Sequence, residues 1–167
     1  YGFAQDMHFK GVAGEMSDFS QGSQPVFAGV SVDKGPLSVY AIGQRFESAT
    51  DRRAVGTEYR YFEGNKTAFA LLDYDTYFKA VNAVQLMGTV GTTVGTVNFM
   101  VDHRKTPSLS IRNALAGAST PSVDALLQTM SAGSLRELAL ARTATSDMGQ
   151  VGITVPHASR LLMKAVA

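Results

Sequence analysis

The amino-acid sequence predicts an all-β fold in which antiparallel strands follow one another up and down in a single sheet that closes as a barrel. Residues 53–104 contain four consecutive segments in which apolar and polar side chains alternate, separated by short turns. The apolar positions stay on one face through three successive hairpins, because a hairpin determines which residues face each other. After Thr106 helical spacing replaces the alternation. The whole chain, 1–167, is therefore interpreted as one barrel domain, or as a fragment of a larger barrel, with a short helical insertion.

The remaining strands are weaker than these four. Three precede them, and Lys34-Gly35-Pro36 is a strong turn signal between the second and the third. Residues 47–52 are interpreted as a polar link without a core residue, and a last strand follows the helical insertion. The predicted strands cover residues 7–16, 25–34, 37–46, 53–61, 67–78, 82–91, 94–104 and 149–155.

Three turns determine the predicted register of the clear strands. A turn centred on Gly64-Asn65 places Tyr59 opposite Ala70 and Glu58 opposite Leu71. The other two turns are predicted at residues 79–81 and at Thr92-Thr93. They pair Tyr74 with Leu86, Asp75 with Gln85, Leu86 with Phe99 and Met87 with Asn98.

The two faces of this sheet differ in a way that favours a membrane barrel over a soluble sandwich. In a sandwich the apolar face forms the core, whereas in a transmembrane barrel it meets lipid and the polar face lines an aqueous interior. Strands of about ten residues also match the length that crosses a bilayer with tilt. The predicted lipid-facing residues are Tyr59, Tyr61, Leu72, Tyr74, Leu86 and Phe99, and the predicted lumen-lining residues are Glu58, Arg60, Asp73, Asp75, Gln85, Asn98, Asp102 and Arg104.

Residues 106–148 are predicted to form the helical insertion. Thr120-Pro121 begins a helix, Gly133 interrupts it, and Ser134 with Glu137 has the spacing of a capping box. Three roles are open for this segment: it plugs the lumen of the barrel, it constricts or caps one mouth, or it docks a partner protein. As a plug, it is expected to rest Asp124, Arg136 and Arg142 on Glu58, Arg60, Asp73 or Asp102. It is also expected to share an end of the barrel with residues 79–81 and 47–52. The predicted plug or partner residues are Leu126, Leu127, Met130, Arg136 and Leu138.

Composition argues against several other functions. The formal net charge of the 167 residues is +1, so no bulk field indicates a nucleic-acid partner. The sequence holds no cysteine, which excludes disulfides and thiolate metal sites. His8, His103 and His157 are too far apart for the usual zinc spacing, and the glycine-rich stretch 88–95 lacks the lysine of a phosphate loop. Asp73 and Asp75 have a separation that a glycosidase could use, but any alternating strand has it. We therefore expect no enzyme activity, no metal and no cofactor.

The segment 52–107 also resembles a known class of protein. Its phrases "DRRAVGTEYRYF" and "LLDYDTYFKA" are similar to the barrel wall of Gram-negative outer-membrane β-barrel proteins of the porin-like or export-channel type. They are similar in particular to barrels associated with periplasmic tetratricopeptide-type repeats. The resemblance implies a membrane pore or scaffold without catalysis, located in the bacterial outer membrane and in contact with its lipid.

Three functions follow from the sequence. The first is a gated or plugged outer-membrane channel for a polar solute or a secreted polymer. The second is a structural anchor or assembly scaffold that docks a periplasmic or outer-membrane protein, and the third is a soluble periplasmic β-sandwich that binds a ligand. Association with further copies of the chain stays open.

Overall fold

A computed structural model describes residues 7–15 and 25–155 of the chain. They form one eight-stranded antiparallel sheet in which every strand pairs with its neighbours in sequence, so the predicted all-β, up-and-down order is confirmed. The ends of the predicted domain, 1–6 and 156–167, and the predicted strand end at Met16 lie outside the described residues. The strands are β1 (Met7–Glu15), β2 (Val26–Lys34), β3 (Leu37–Phe46), β4 (Ala49–Glu63), β5 (Lys66–Asp75), β6 (Ala80–Thr92), β7 (Gly95–Thr106) and β8 (Ala144–Thr154).

Short turns join the consecutive strands from β2 to β7. Gly35 and Gly64 adopt φ of 54° in two of them, a conformation that costs glycine little because it has no Cβ. Glu47 and Lys79 adopt positive φ without that advantage, at 54° and 53°. Within the described residues β1 pairs only with β2 and β8 only with β7, so the sheet is open at both edges.

The predicted register is correct for one hairpin and wrong for two. Tyr59 faces Ala70 and Glu58 faces Leu71, as predicted. Leu86 faces Ala70 rather than Tyr74, because the chain turns over residues 76–79 and β6 begins earlier than predicted. Across the next hairpin Leu86 faces Val101 rather than Phe99, because the turn is centred on Thr93 and Val94. At Leu86 the shifts are four and two residues, so the side chains paired there keep their face. A bulge between Asp73 and Tyr74 changes the register by one more residue toward the turn, where Asp75 faces Ala80 rather than Gln85.

The predicted polar link at 47–52 is also wrong. The chain needs only Glu47 and Ser48 to turn, and β4 begins at Ala49. A bulge between Gln44 and Arg45 gives β4 one extra residue opposite β3, and in this region Asp51 becomes fully buried. A residue that the sequence left in a solvated loop is therefore part of the interior.

The sheet exposes its apolar face and covers its polar face. On the apolar face Val55, Leu72 and Leu86 keep 42–44% of their surface exposed. On the opposite face Asp73 and Asp102 are each 5% exposed. Side chains crowd together on the inside of a curved sheet, so we interpret the polar face as the concave one and the apolar face as the convex one.

The helical segment comprises residues 107–143 and connects β7 to β8. It contains a 3₁₀ helix at Ile111–Leu115, α1 at Val123–Leu127 and α2 at Ala132–Ala141. The predicted capping box is wrong, because Ser131 is the N-cap of α2 and its side chain accepts a hydrogen bond from the Ser134 N–H. Gly133 lies inside that helix rather than interrupting it. The predicted insertion also ends too late, since residues 144–148 already belong to β8.

One hydrophobic cluster holds the helical segment against an end of the sheet. Phe46 at the end of β3 and Phe78 in the β5–β6 turn pack with side chains of the segment. This corrects the prediction that the strand at 67–78 continues to Phe78, because β5 ends at Asp75. The helical segment contributes Leu109, Ile111, Ala114, Val123, Leu135 and Ala139 to this cluster, and each is at most 1% exposed.

None of the helices in the described part of the chain is long and apolar enough to span a membrane.

Candidate functional site

The eight predicted lumen-lining residues all lie on the concave polar face. The observed pairing sets Gly56 opposite Asp73 and Gln85 opposite Asp102, which places the polar positions of β4, β5, β6 and β7 on one side. Asn98 faces Thr89 across β6 and β7, and its side chain accepts a hydrogen bond from the Thr89 hydroxyl at 3.2 Å.

Two pairs on this face join residues two positions apart on the same strand. Arg60 donates to Glu58 on β4. Arg104 donates to Asp102 on β7 through Nε at 2.6 Å, and Gln85 donates to the other oxygen of Asp102 at 3.1 Å. Both pairs were expected from the alternation, since side chains two residues apart share a face.

A second network is more deeply buried and includes two residues that the sequence did not indicate. Tyr40 on β3 donates to Asp73 at 2.5 Å, and Arg52 on β4 donates to the other oxygen of Asp73. The Nε atom of Arg52 also lies 3.5 Å from Asp75. The Tyr40 ring occupies the space above Gly56, where a Cβ would meet the ring and would lie 2.7 Å from the Leu72 carbonyl oxygen. The signal in the sequence was a large side chain, Tyr40, opposite a glycine, Gly56, across a hairpin. This signal could be recognised only once the β3–β4 register was known.

Asp75 differs from the other predicted lumen-lining residues. Its side chain is completely buried and accepts hydrogen bonds from the backbone N–H groups of Tyr77 and Phe78, both at 2.8 Å. It therefore closes the β5–β6 turn. The prediction that this carboxylate lines an open interior is wrong, because the side chain is fully buried and is bound by the backbone of the β5–β6 turn.

Two carboxylates from the β3–β4 corner bind the helical segment. Asp51 accepts hydrogen bonds from the Ser110 hydroxyl at 2.5 Å and the Ile111 N–H at 3.0 Å, and Arg112 Nε lies 3.5 Å from its second oxygen. Glu47 accepts from the Ser122 hydroxyl at 2.9 Å and the Asp124 N–H at 2.7 Å. These acceptors satisfy backbone donors at the starts of two helices, which helix geometry leaves without partners.

Two arginines complete the attachment of the segment, which we call the cap. Arg136 lies over the Tyr77 ring at 6.0 Å and donates to the Tyr77 carbonyl at 3.4 Å. Burial in this contact raises the pKa of the Tyr77 phenol above its ordinary value, although the Arg136 charge opposes that change. Arg142 donates to the carbonyls of Ala114 and Ala116, which links the end of α2 to the 3₁₀ helix.

The predicted docking of the insertion on the lumen charges is therefore wrong. Asp124 accepts from Ser48, and Arg136 and Arg142 bind backbone carbonyls, rather than Glu58, Arg60, Asp73 or Asp102. The reason is that Phe46 and Phe78 offer apolar surface at the strand ends, where the apolar side of the cap can be buried. The other predicted plug residues, Leu126, Leu127, Met130 and Leu138, are partly buried against the same cluster.

The predicted lipid-facing residues share the convex face. Tyr59, Leu72, Tyr74 and Leu86 are 41%, 44%, 37% and 42% exposed. Phe99 lies over Gly88, where an added Cβ would come within 2.7 Å of the ring. The exposed apolar surface continues over other strands of the sheet, through Val30, Val39, Val101, Val151 and Ile153.

A cavity of about 770 Å³ opens on the polar face at the end of the sheet opposite the cap. Two ion pairs line it, Lys10 with Asp33 at 2.8 Å and Arg60 with Glu58. Serine hydroxyls lie between them, and the Ser38 hydroxyl donates to Asp33 at 2.5 Å. The cavity is therefore lined by paired charged side chains of both signs.

Nothing in the described residues has the arrangement of a metal centre, since no three His, Asp or Glu side chains converge there. His103 lies 2.6 Å from Asp147 as an exposed pair, and His157 is outside the described residues. Comparison with protein-family models, with curated proteins and with solved structures finds no match for this chain. The arrangement of the two faces and of the cap is therefore the basis on which function is inferred.

Proposed function

We propose that this chain forms the wall of a transmembrane β-barrel in a bacterial outer membrane, and that the cap controls passage through one mouth. The observation that supports this most strongly is the inverted polarity of the sheet. Its apolar side chains are exposed on the convex face, while its carboxylates are covered and paired on the concave face. Lipid outside and water inside is the arrangement that such a sheet suits.

Strand length supports the same proposal. β4 has 15 residues, β6 has 13 and β7 has 12, whereas ordinary strands average about five or six. A strand needs about nine to eleven residues to cross the hydrocarbon region with tilt. The open edges must then be paired, because unpaired backbone groups are costly in lipid. Closure of the barrel, through this chain or further strands, is part of the proposal.

A soluble sandwich accounts less well for the same observations. That fold needs a second layer over the apolar face to form its core. The cap instead packs at the strand ends against Phe46 and Phe78, and leaves Leu72, Leu86 and Val101 exposed. In water this apolar surface would be a large unprotected patch.

An anchor that docks a partner through its helices is also less well supported. In this alternative, the apolar stripe of residues 120–142 binds a partner protein. In the structure Val123, Leu135 and Ala139 are fully buried against the sheet and the 3₁₀ helix. The stripe is therefore already used within the chain, and the cap's position over a strand end suits an obstruction at a mouth.

A reversible lock on the cap tests the channel proposal. Ser48 donates to Asp124 in the structure, so the double variant Ser48→Cys/Asp124→Cys should join the cap to the β3–β4 turn by a disulfide or a short thiol cross-linker. The natural sequence has no cysteine to interfere. A matched pair, Thr89→Cys/Asn98→Cys, joins β6 to β7 away from the cap.

Planar-bilayer recordings of the purified protein provide the measurement. We expect cross-linking of the 48/124 pair to reduce conductance, reductant to restore it, and the 89/98 pair to leave it unchanged. Deletion of residues 118–143 should increase conductance. Conductance that ignores the lock would contradict a gating role for the cap. Absence of conductance in every variant, with loss of a bound partner on deletion, would support the anchor instead.

A further inference from the structure

The ion pairs of the polar face are uneven in exposure. The Lys10 side chain is 67% exposed and its partner Asp33 is 28% exposed. Arg60 is 61% exposed against 27% for Glu58, and Arg104 is 48% exposed against 5% for Asp102. The deeper pair has the same order, with Arg52 at 17% and Asp73 at 7%. In each of these pairs the cation is nearer to the solvent.

Side-chain length and hydrogen bonding explain this order. Carboxylates are short and stay near the backbone, where Ser38 donates to Asp33 and Gln85 donates to Asp102. Lysine and arginine extend further and carry more donors than one ion pair uses, since a guanidinium has five N–H groups. The surface that a solute meets is therefore formed largely by ammonium and guanidinium groups.

The formal charges alone predict the opposite. On the described strands the concave face carries Asp33, Glu58, Asp73, Asp75 and Asp102 against the cations Lys10, Arg52, Arg60 and Arg104. By that count a passing solute should meet a weakly acidic wall. The depth of the carboxylates changes this result, because Asp73, Asp75 and Asp102, counted as whole residues with their backbone, are each at most 5% exposed.

We propose that the polar face preferentially admits soluble anions, meaning small solutes with a carboxylate, phosphate or sulfate group. Lys10, Arg60 and Arg104 are the residues that determine this selectivity. Lys10 and Arg60 line the cavity of about 770 Å³ at the mouth opposite the cap, so an anion meets them first from that end. Rings of arginine and lysine serve the same purpose in anion pores.

The selective passage of anions rests on the proposed channel. The electrostatic potential at the polar face, however, can be measured without recording conductance. Ser31→Cys places a single thiol in the same cavity of a chain without other cysteines. Its reaction rates with an anionic and a cationic methanethiosulfonate of similar size give a ratio that does not depend on the pKa of the thiol. Dividing by the ratio for a free small thiol isolates the local potential. Zwitterionic phosphatidylcholine vesicles exclude anionic headgroups as a source of the effect.

The normalised ratio of anionic to cationic rates should exceed one at this thiol. Arg60→Gln should lower it about threefold, because one exposed charge within about a Debye length changes both rates in opposite directions. Arg53→Gln removes the same charge from the convex face of β4 and should leave the ratio unchanged.

The paired variant Glu58→Gln/Arg60→Gln separates depth from formal charge. It changes the net charge by zero, so a wall governed by formal charge would keep its ratio. The proposal expects the ratio to fall. The proposal is overturned by a ratio at or below that of the free thiol, or by a ratio that stays unchanged in either Arg60→Gln or the paired variant. A high ratio in a protein without conductance would retain the anion site and reject only the channel.

Discussion

Leu86→Arg tests whether lipid or water covers the convex face. Leu86 is the central residue of β6, lies between Ala70 and Val101 on the neighbouring strands, and is 42% exposed. In a membrane the arginine would lie near the bilayer midplane, where it should cost about 2–4 kcal/mol. In water the change should cost about 1 kcal/mol or less, because little more than half of the leucine is covered and the arginine stem replaces part of that contact.

A matched change on the other face supplies the control. Thr89→Arg introduces the same group three residues away on the polar side of the same strand, where an aqueous interior should accept it at little cost. Val90→Arg lies on the convex face nearer the end of β6 and should cost about 0–1 kcal/mol, since the penalty for arginine falls toward the interface. The membrane assignment thus predicts a decrease in cost from residue 86 to residue 90.

Urea titration in phosphatidylcholine vesicles measures these free energies of unfolding, with the folded and unfolded bands separated by unheated gel electrophoresis. The two arginine variants at 86 and 89 should differ by about 2 kcal/mol or more. Equal small costs at both positions would refute the lipid-facing assignment. So would free labelling of Leu72→Cys, Leu86→Cys or Phe99→Cys by a membrane-impermeant thiol reagent in intact vesicles.

Three further changes test the packing of the sheet and the cap. Gly56→Val should cost about 1–3 kcal/mol in urea unfolding, because its side chain would enter the space of the tyrosine ring above it, whereas Gly43→Val has open space and should cost much less. Asp51→Asn should lower the free energy of unfolding by about 1–3 kcal/mol, because the cap then donates its hydrogen bonds to a neutral amide oxygen instead of a carboxylate. Asp147→Asn, in an exposed pair, should change it by less than about 1 kcal/mol. Ala139→Asp puts a carboxyl group at a fully buried position of the cap, so limited proteolysis should cut within 107–143 while circular dichroism of the sheet persists. Unchanged stability of Gly56→Val or Asp51→Asn, or resistance of the Ala139→Asp cap, would contradict these assignments.

The order of the strands and the identity of the two faces could be predicted from the sequence. Alternation is a local property, and the registers were wrong by an even number of residues at these positions, so Leu72 and Leu86 still fall on one face and Asp73 and Asp102 on the other. Gly64-Asn65 also located its hairpin correctly, since the turn closes by local backbone geometry. The β5–β6 hairpin was misplaced because Asp75 closes a turn that residue types alone did not locate. The β6–β7 hairpin was misplaced by two residues because its turn lies at Thr93 and Val94, one residue later than predicted.

The functional site depended more on the tertiary structure. Asp51 looked like part of a solvated link, and only its contact with Ser110 and Ile111, about sixty residues later, shows why it is buried. The sequence identified the apolar stripe of the cap but not its partners, Phe46 and Phe78, because their place at one end of the sheet follows from the folding of three hairpins.

By itself, the sequence determined the composition and alternation of each strand, and therefore which side chains share a face. The tertiary structure alone decided that the cap lies over the strand ends and that the cations of the polar face stand above its carboxylates. The physical reason is that alternation arises from the geometry of one strand, whereas depth and docking arise from curvature and from contacts between residues far apart in the chain.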